Sequence, residues 1–541
     1  MSILIECVPN FSEGRDQSVI DQICEAISKI DGVQLLDVDP GAATNRTVVT
    51  FVGHPDQVIE AAYQGIKMAA QLIDMSTHSG EHPRMGATDV CPLIPISNIS
   101  MEETARYAHL LAERVGQDLD IPIYMYESAA TQLERKNLAT VRAGEYEGLS
   151  ERFNQPKWAP DYGPVKFNKR SGATAIGARD FLIAYNVNLN TTSVRRANAI
   201  AFDVREQGRI VTKKGACKSV KGIGWYIEEY GIAQISMNLT NIADTTLHQA
   251  YEACYESANR RGIRVTGSEL IGLVPKKVML DAGRFYLQQQ KRSAGIPERE
   301  IIKIAVKSMG LDELKPFDPD QKIIEYVLEN KSKRPLIHAS LMDFIDQTSS
   351  ESPAPGGGSV SATVGSLGVA LATMVANLSS HKRGWDRKWN LYSDYAEQGE
   401  QLKYKLAMLI DEDTQAFNYI MDAFRLPKKS TADVKHRSAA IQDATKNAML
   451  VPFQILETCV ESMDLIKAMA DIGNPNSVSD AGVGALCARA AARGAFMNVK
   501  INAADLSDEA FKSDLIERGQ KLIDKAQLME NEIIKLVEAK L

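Results

Sequence analysis

Apolar positions in the first part of the chain fall in short runs separated by amphipathic stretches. Strand-like runs occupy Ile3–Val8, Val33–Val38, Arg46–Val52 and Ile121–Tyr126, with helical spacing between them at 16–30, 55–73 and 102–118. The order reads β-α-β-β-α-β, with Cys91–Ile96 and the helix after it as an insertion before the last strand. From Asp180 the scheme returns: strand Phe181–Asn188, helix 192–207, a hairpin of Gly222–Glu229 with Ile232–Leu239, a helix near 245–261 and a strand at 263–271. This order predicts two ferredoxin-like β-α-β-β-α-β subdomains, an α/β (α+β) half whose repeat is one of element order only.

Beyond a polar linker, E-N-K-S-K-R-P, the pattern changes to long segments of 3.6 period at 358–378, 390–424, 431–463, 478–498 and 506–540. In the last of these Leu522, Ala526, Met529, Ile533 and Leu536 form one stripe. The expected organisation is residues 1–180 and 181–328 as the two subdomains, 329–335 as linker, and 336–541 as an all-α helical bundle. Gly356–Leu378 carries no charge and invites reading as a membrane span. Its Gly, Ser, Ala and Thr content argues for a tightly packed buried helix, so no membrane span is expected.

Length and composition add limits. A chain of 541 residues with 44% apolar and 24% charged content suits several folded domains rather than extended disorder. A net charge of −7 argues against a general nucleic-acid binder. The seven cysteines are scattered and lack C-x-x-C spacing, and no secretory leader precedes the first strand. Both point to reduced thiols and a cytoplasmic protein.

The chemistry-bearing stretch of the first half is H-S-G-E-H-P-R-M-G, His78 to Gly86, where Gly and Pro hold two histidines in a loop. Three readings of His82 compete: one of two metal ligands with His78, a structural residue, or a general base oriented by a carboxylate such as Asp39. The metal reading needs a helix that Gly80 and Pro83 oppose. Asn10, Asp39 and Arg46 stand at strand ends where they can converge on one cleft. Lys166, Lys169 and Arg170 lie in a Gly/Pro-rich join, able to grip a carboxylate. The basic run Lys213, Lys214, Lys218 and Lys221 offers a second anionic surface.

In the second half A-P-G-G-G-S (354–359) places Ser359 at a helix N-terminus, a ready anion or carbonyl site. In L-I-D-E-D-T-Q-A-F (409–417), Leu406, Ile410, Asp413 and Phe417 share a stripe, turning Asp413 inward and Glu412 outward. A semi-buried Asp is a proton-donor candidate, with Asp411 as runner-up. Asp480 and Asn498 are further pocket candidates.

These segments resemble the formimidoyltransferase-cyclodeaminase family over nearly the whole chain. The likeness runs through C-V-P-N-F-S-E-G, T-N-R-T, S-G-E-H-P-R-M-G-A-T-D-V-C-P, A-G-E-Y-E, A-P-G-G-G-S, D-E-D-T-Q-A-F and F-M-N-V-K-I-N. The resemblance implies a bifunctional folate enzyme of histidine degradation. It would pass the formimino group of formiminoglutamate to tetrahydrofolate, then close the product to methenyltetrahydrofolate with loss of ammonia. It implies His82 as base and Asp413 as catalytic acid. It also implies a folate-binding segment of Gly163, Pro164, Val165, Lys166, Phe167, Asn168, Lys169, Arg170, Ser171 and Gly172. Tetrahydrofolate, polyglutamylated, would be the co-substrate, without a metal, and the assembly a homo-oligomer, an octamer built from dimers. Open alternatives are a formyl donor, a single-activity member, or an inactive folate-binding scaffold.

Overall fold

The computed structural model describes residues 3–41, 45–79, 84–209, 214–228, 230–328 and 334–541. They form two compact units, Met1–Pro275 and Lys276–Leu541. The compact boundary falls inside the 181–328 segment.

The first unit opens with a sheet of β1 (Leu4–Cys7), β2 (Asn10–Phe11), β3 (Val33–Gly41), β4 (Arg46–Gly53), β5 (Thr88–Ser97), β6 (Ile123–Glu127) and β7 (Thr174–Ala178). β3 edges β4, β1 and β2 both lie between β4 and β5, and β7 and β6 follow in parallel. Helices α1 (Gln17–Ser28), α2 (Pro55–Leu72) and α3 (Met101–Asp118) share a core with Ile5, Cys7, Phe51, Leu93 and Ile176. Local signals set these helices: Asp16 caps α1, and Ser100 with Glu103 forms a capping box on α3, devices worth about 1 kcal/mol each. The structure corrects the insertion reading. The strand containing Cys91–Ile96 is central, paired with β1 and β2, while α3, β6 and β7 extend the sheet beyond it. The Gly/Pro-rich join that holds Lys166, Lys169 and Arg170 runs into β7, inserted between β5 and β6. Two short helices, α4 (Leu138–Val141) and α5 (Glu145–Arg152), precede it.

The second sheet holds β8 (Ile183–Leu189), β9 (Val220–Ile227), β10 (Ile232–Leu239) and β11 (Val265–Ile271), all antiparallel in the order β11-β8-β10-β9, with α6 (Val194–Val204) and α7 (Leu247–Asn259). Gly224 of β9 touches α6 so closely that a Cβ would stand 2.2 Å from the Asn198 nitrogen.

The second unit is helical: α8 (Lys276–Gln289), α9 (Glu298–Met309), the short α10 (Pro319–Lys322) and α11 (Ile324–Val327), then α12 (Leu341–Ser349), α13 (Gly357–Ser380), α14 (Trp389–Arg425), α15 (Thr431–Ile472), α16 (Val478–Asn502) and α17 (Glu509–Glu538). The connection from α8 to α9 docks on the long helices. Ala294 N donates to Ser393 Oγ at 3.0 Å and Asn377 Nδ2 to the Gly295 oxygen at 2.7 Å. α13 has the length and apolarity to cross a membrane, yet its small residues pack against α14 and α16; Gly368 and Gly484 leave each other no room for a Cβ. α15 runs on past the expected end at 463, through Pro452. The buried stripe of α17 keeps Ala526, Met529 and Ile533. At its ends it takes Ile523 and Val537 in place of Leu522 and Leu536, one residue around the helix.

Candidate functional site

The histidine loop leaves the described residues at Ser79 and returns at Arg84, so Gly80, Glu81, His82 and Pro83 lie outside them. Its frame is well defined. His78 Nε2 stands 2.9 Å from the Asn45 carbonyl oxygen, and Nδ1 stands 3.3 Å from Arg84 Nε. A carbonyl only accepts and a guanidinium only donates, so the ring proton is assigned to Nε2. Both nitrogens are thereby engaged, which removes His78 from the metal pair considered above. Asn45 Oδ1 accepts from Gly14 N at 3.1 Å, and its Nδ2 donates to the Ser79 oxygen at 3.1 Å.

Arg84 is the loop's anchor. It is buried, with Nη1 3.1 Å from Glu145 and Nη2 2.7 Å from Glu147, and the Glu147 carboxylate holds the guanidinium above its ordinary value. Asp89, fully buried, accepts from Met85 N at 3.0 Å and pairs with Arg142. The sequence reading assigned no role to Asp89, Arg142, Glu145 or Glu147; the acidic pair flanking Tyr146 was the available signal.

Segment 163–172 joins the same frame. Gly86 and Gly172 bridge antiparallel, with Ala173 N donating to the Met85 oxygen and Ala87 N to the Ser171 oxygen, both at 2.9 Å. Gly172 has φ +67°, and a Cβ there would stand 2.2 Å from the Met85 oxygen. Asn168 ties the turn by accepting from Ser171 N at 2.9 Å, and its carbonyl accepts from Gly172 N at 2.8 Å. The Phe167 ring lies 5.4 Å from Tyr146, whose hydroxyl donates to the Lys169 oxygen at 2.5 Å. At the start, Gly163 (φ +79°) presses on Ile121, followed by half-buried Pro164 and exposed Val165. Lys166 and Lys169 are exposed, while Arg170 spends Nη2 on the Gln71 oxygen at 2.6 Å.

Asn10, Asp39 and Arg46, expected to converge on one cleft, stand on the neighbouring strands β2, β3 and β4. Asn10 is buried on β2 and Asp39 is exposed on β3, opposite Val48. Asp39 and Asp89 both act on Arg46, countering the burial that pushes its guanidinium down. Of the basic run, Lys213 lies outside the described residues. Lys214 faces Glu206 at 3.7 Å and Lys218 pairs with Asp244 at 2.6 Å, so the strip is partly neutralised. Another group had gone unread: Glu6 on β1 is 3% exposed, and burial pushes its carboxyl up to about 7 against the opposing charge of Arg179.

In the helical unit the register of α14 separates three consecutive acids. Asp411 is buried and accepts from Leu336 N at 2.9 Å and Ile337 N at 3.0 Å. Glu412 is half-buried rather than wholly outward. Asp413 turns to the N-terminus of α13, where Oδ2 accepts from Ser359 N at 2.9 Å and lies 3.3 Å from Ser359 Oγ. The same hydroxyl donates to the Ile410 oxygen at 2.7 Å. A Cβ on Gly358 would stand 2.0 Å from Asp413 Oδ1, and one on Gly357 3.0 Å from Asn498 Nδ2. Burial pushes the Asp413 carboxyl up, against the Ser359 bonds that lower it. The result is a carboxyl group beside a glycine cradle and an amide, at the positive end of a long helix. Asn498 belongs to this cradle. Asp480 sits at the opposite end of α16, about 27 Å along its axis at ~1.5 Å per residue.

The chain matches family models along most of its length: the formiminotransferase domain, N-terminal subdomain, over 4–179; the formiminotransferase domain over 184–329; and formiminotransferase-cyclodeaminase over 340–521. A formimidoyltransferase-cyclodeaminase of Gallus gallus is 43% identical over 539 residues, covering 99% of either chain. A glutamate formimidoyltransferase of Streptococcus pyogenes is 46% identical over 288 residues, 53% of this chain and 94% of its own. A methenyltetrahydrofolate cyclohydrolase of Methylorubrum extorquens is 36% identical over 197 residues, 36% of this chain and 95% of its own.

Proposed function

The chain belongs to the formimidoyltransferase-cyclodeaminase family, and on that premise we propose how its residues divide two reactions. It is a bifunctional folate enzyme: a glutamate formimidoyltransferase and a formimidoyltetrahydrofolate cyclodeaminase. In the first reaction N5 of tetrahydrofolate attacks the formimino carbon of N-formimino-L-glutamate. His82 takes the N5 proton and returns it to the glutamate nitrogen as the C–N bond breaks, with Asp39 orienting the base. Segment 163–172 holds the folate. The observation that carries this reading is the Gly86–Gly172 bridge, which puts the exit of the histidine loop and the end of the folate segment on one frame.

In the second reaction N10 attacks the same carbon. With the formimino group entering as its cation, Asp413 gives its proton to the departing NH2 of the tetrahedral adduct and recovers one from N10, releasing ammonia and leaving the cationic methenyl bridge. Its position supports this role over Asp411, whose two oxygens are occupied by backbone N–H groups. Ser359 and Asn498 would position the acid and the folate.

Both sheet units are read as ferredoxin-like. The order β11-β8-β10-β9 supports this for the second, and the first carries an extension. A homo-oligomer is supported by Leu367, Met374 and Leu378 on charge-free α13, with Val483 and Leu486 on α16, all exposed; a second copy would cover them. The octamer of dimers rests on family likeness. A cytoplasmic location is supported by the free thiols, Cys7 and Cys91 standing 3.5 Å apart without a disulfide. Polyglutamylation of the folate remains an expectation from the family.

The test is an assay with tetrahydrofolate and formiminoglutamate that follows methenyltetrahydrofolate and ammonia. His82→Ala should block the start and Asp413→Ala should stall at formiminotetrahydrofolate. Turnover with formylglutamate alone would reassign the donor, and folate binding without turnover would make the chain a scaffold.

A further inference from the structure

A cavity of about 630 Å³, sharing no lining residue with either candidate site, opens beside α6, lined by Arg195, Arg196, Asn198, Phe202, Arg209 and Arg261 among others. Four guanidinium groups around one hollow are unexpected in a chain of net charge −7. Arg261 is partnered, 2.7 Å from Asp203, and the same carboxylate stands 3.6 Å from Arg260. The guanidinium groups of Arg195, Arg196 and Arg209 have no hydrogen-bond or ion-pair partner among the described residues. Local electrostatics make the arrangement costlier still. Arg195 and Arg196 sit in the first turn of α6, which holds no acid, and a helix start repels cations.

Like charges gathered in this way call for an anion. Asn198 adds nothing to its recognition, because its amide is spent on Val194 and Gly224. Phe202 contributes an aromatic wall, with the Arg205 guanidinium 4.4 Å and the Arg209 guanidinium 5.8 Å from its ring centre. The planar forks of arginine match phosphate oxygens in pairs. A polycarboxylate chain spreads one charge per residue and suits an extended strip. A compact hollow with three unpaired forks suits several charges packed within one group.

We propose that this cavity is an oligophosphate-binding site, taking inorganic tripolyphosphate or the triphosphate of a nucleotide.

The test is calorimetric titration of the full-length protein with sodium tripolyphosphate and, separately, with ATP, at low and at raised salt. One site per chain is expected, weakening as salt rises. The double variant Arg195→Ala, Arg196→Ala, and separately Arg209→Ala, should each weaken binding by about tenfold or more. Both enzymatic activities without added phosphate should stay as in the parent protein. Tighter binding of ATP than of tripolyphosphate would identify the nucleotide, with Phe202→Leu removing the difference; equal binding would identify the phosphate chain alone. The proposal falls if neither compound binds, or if the arginine variants bind as well as the parent. It also falls if light scattering shows a changed subunit number in the double variant, which would make the arginines a contact between copies.

Discussion

Ser359 holds one oxygen of Asp413 and leaves the other to the glycine cradle: its backbone N–H reaches Oδ2 at 2.9 Å, while Oδ1 faces Gly358. The acid is raised by burial and must be protonated to serve the departing nitrogen. Cyclodeaminase turnover should therefore fall as pH rises through the raised pKa. Asp413→Asn should lower turnover by at least about a hundredfold, a general-acid magnitude, and abolish that alkaline limb. Transfer to tetrahydrofolate should persist, measured as glutamate release.

Asp411 should behave differently from its neighbour. Asp411→Asn turns an amide nitrogen toward one of two backbone N–H donors, leaving a buried donor unmet at a cost of about 1–3 kcal/mol. Denaturant unfolding should show that loss, with cyclisation less affected than in Asp413→Asn. The reverse ranking would exchange their roles.

Gly172→Ala is expected to injure the transferase selectively. The residue has φ +67°, and the new methyl would meet the Met85 oxygen at 2.2 Å, so the bridge to Gly86 must open. The KM for tetrahydrofolate should rise about tenfold or more, on the scale of a backbone strain of 1–3 kcal/mol. Supplied formiminotetrahydrofolate should still be cyclised at the parent rate.

Glu6 gives a pH signature of stability. The folded protein keeps its proton up to about 7, against a usual 4.5. Folded stability should therefore fall as pH rises between those values, by an order of 3 kcal/mol from this group. Glu6→Gln should remove that slope. Thermal unfolding of both proteins at pH 5 and pH 8 checks it: the variant should gain on the parent at the higher pH.

Periodicity made most elements legible, since alternation and 3.6-residue spacing follow from which side of a strand or helix is covered. The second sheet, with its hairpin and two helices, appears as read. β7 was hidden because T-A-I-G-A is a short run inside a Gly/Pro/Asn/Lys segment, and its partners β5 and β6 are distant in sequence. The same parallel pairing reversed the insertion reading. Asp413 was legible from its stripe on α14. The burial of Asp411 was not, because its donors lie at Leu336 and Ile337, far back along the chain. The Arg84 clamp on Glu145 and Glu147 was hidden for the same reason.

At Gly295 a Cβ would stand 2.2 Å from the Ala396 backbone, so the turn between α8 and α9 is seated where only a bare backbone fits. The family match of the first enzyme continues to residue 329, while everything after Pro275 is housed with the long helices. The stretch from α8 to α11 is thus inherited with one catalyst and lodged with the other. Like a graft, the molecule has a seam of ancestry at one place and a seam of packing at another. Cutting at the linker and separating the pieces would pull that turn from its seat on Ser393 and Ala396.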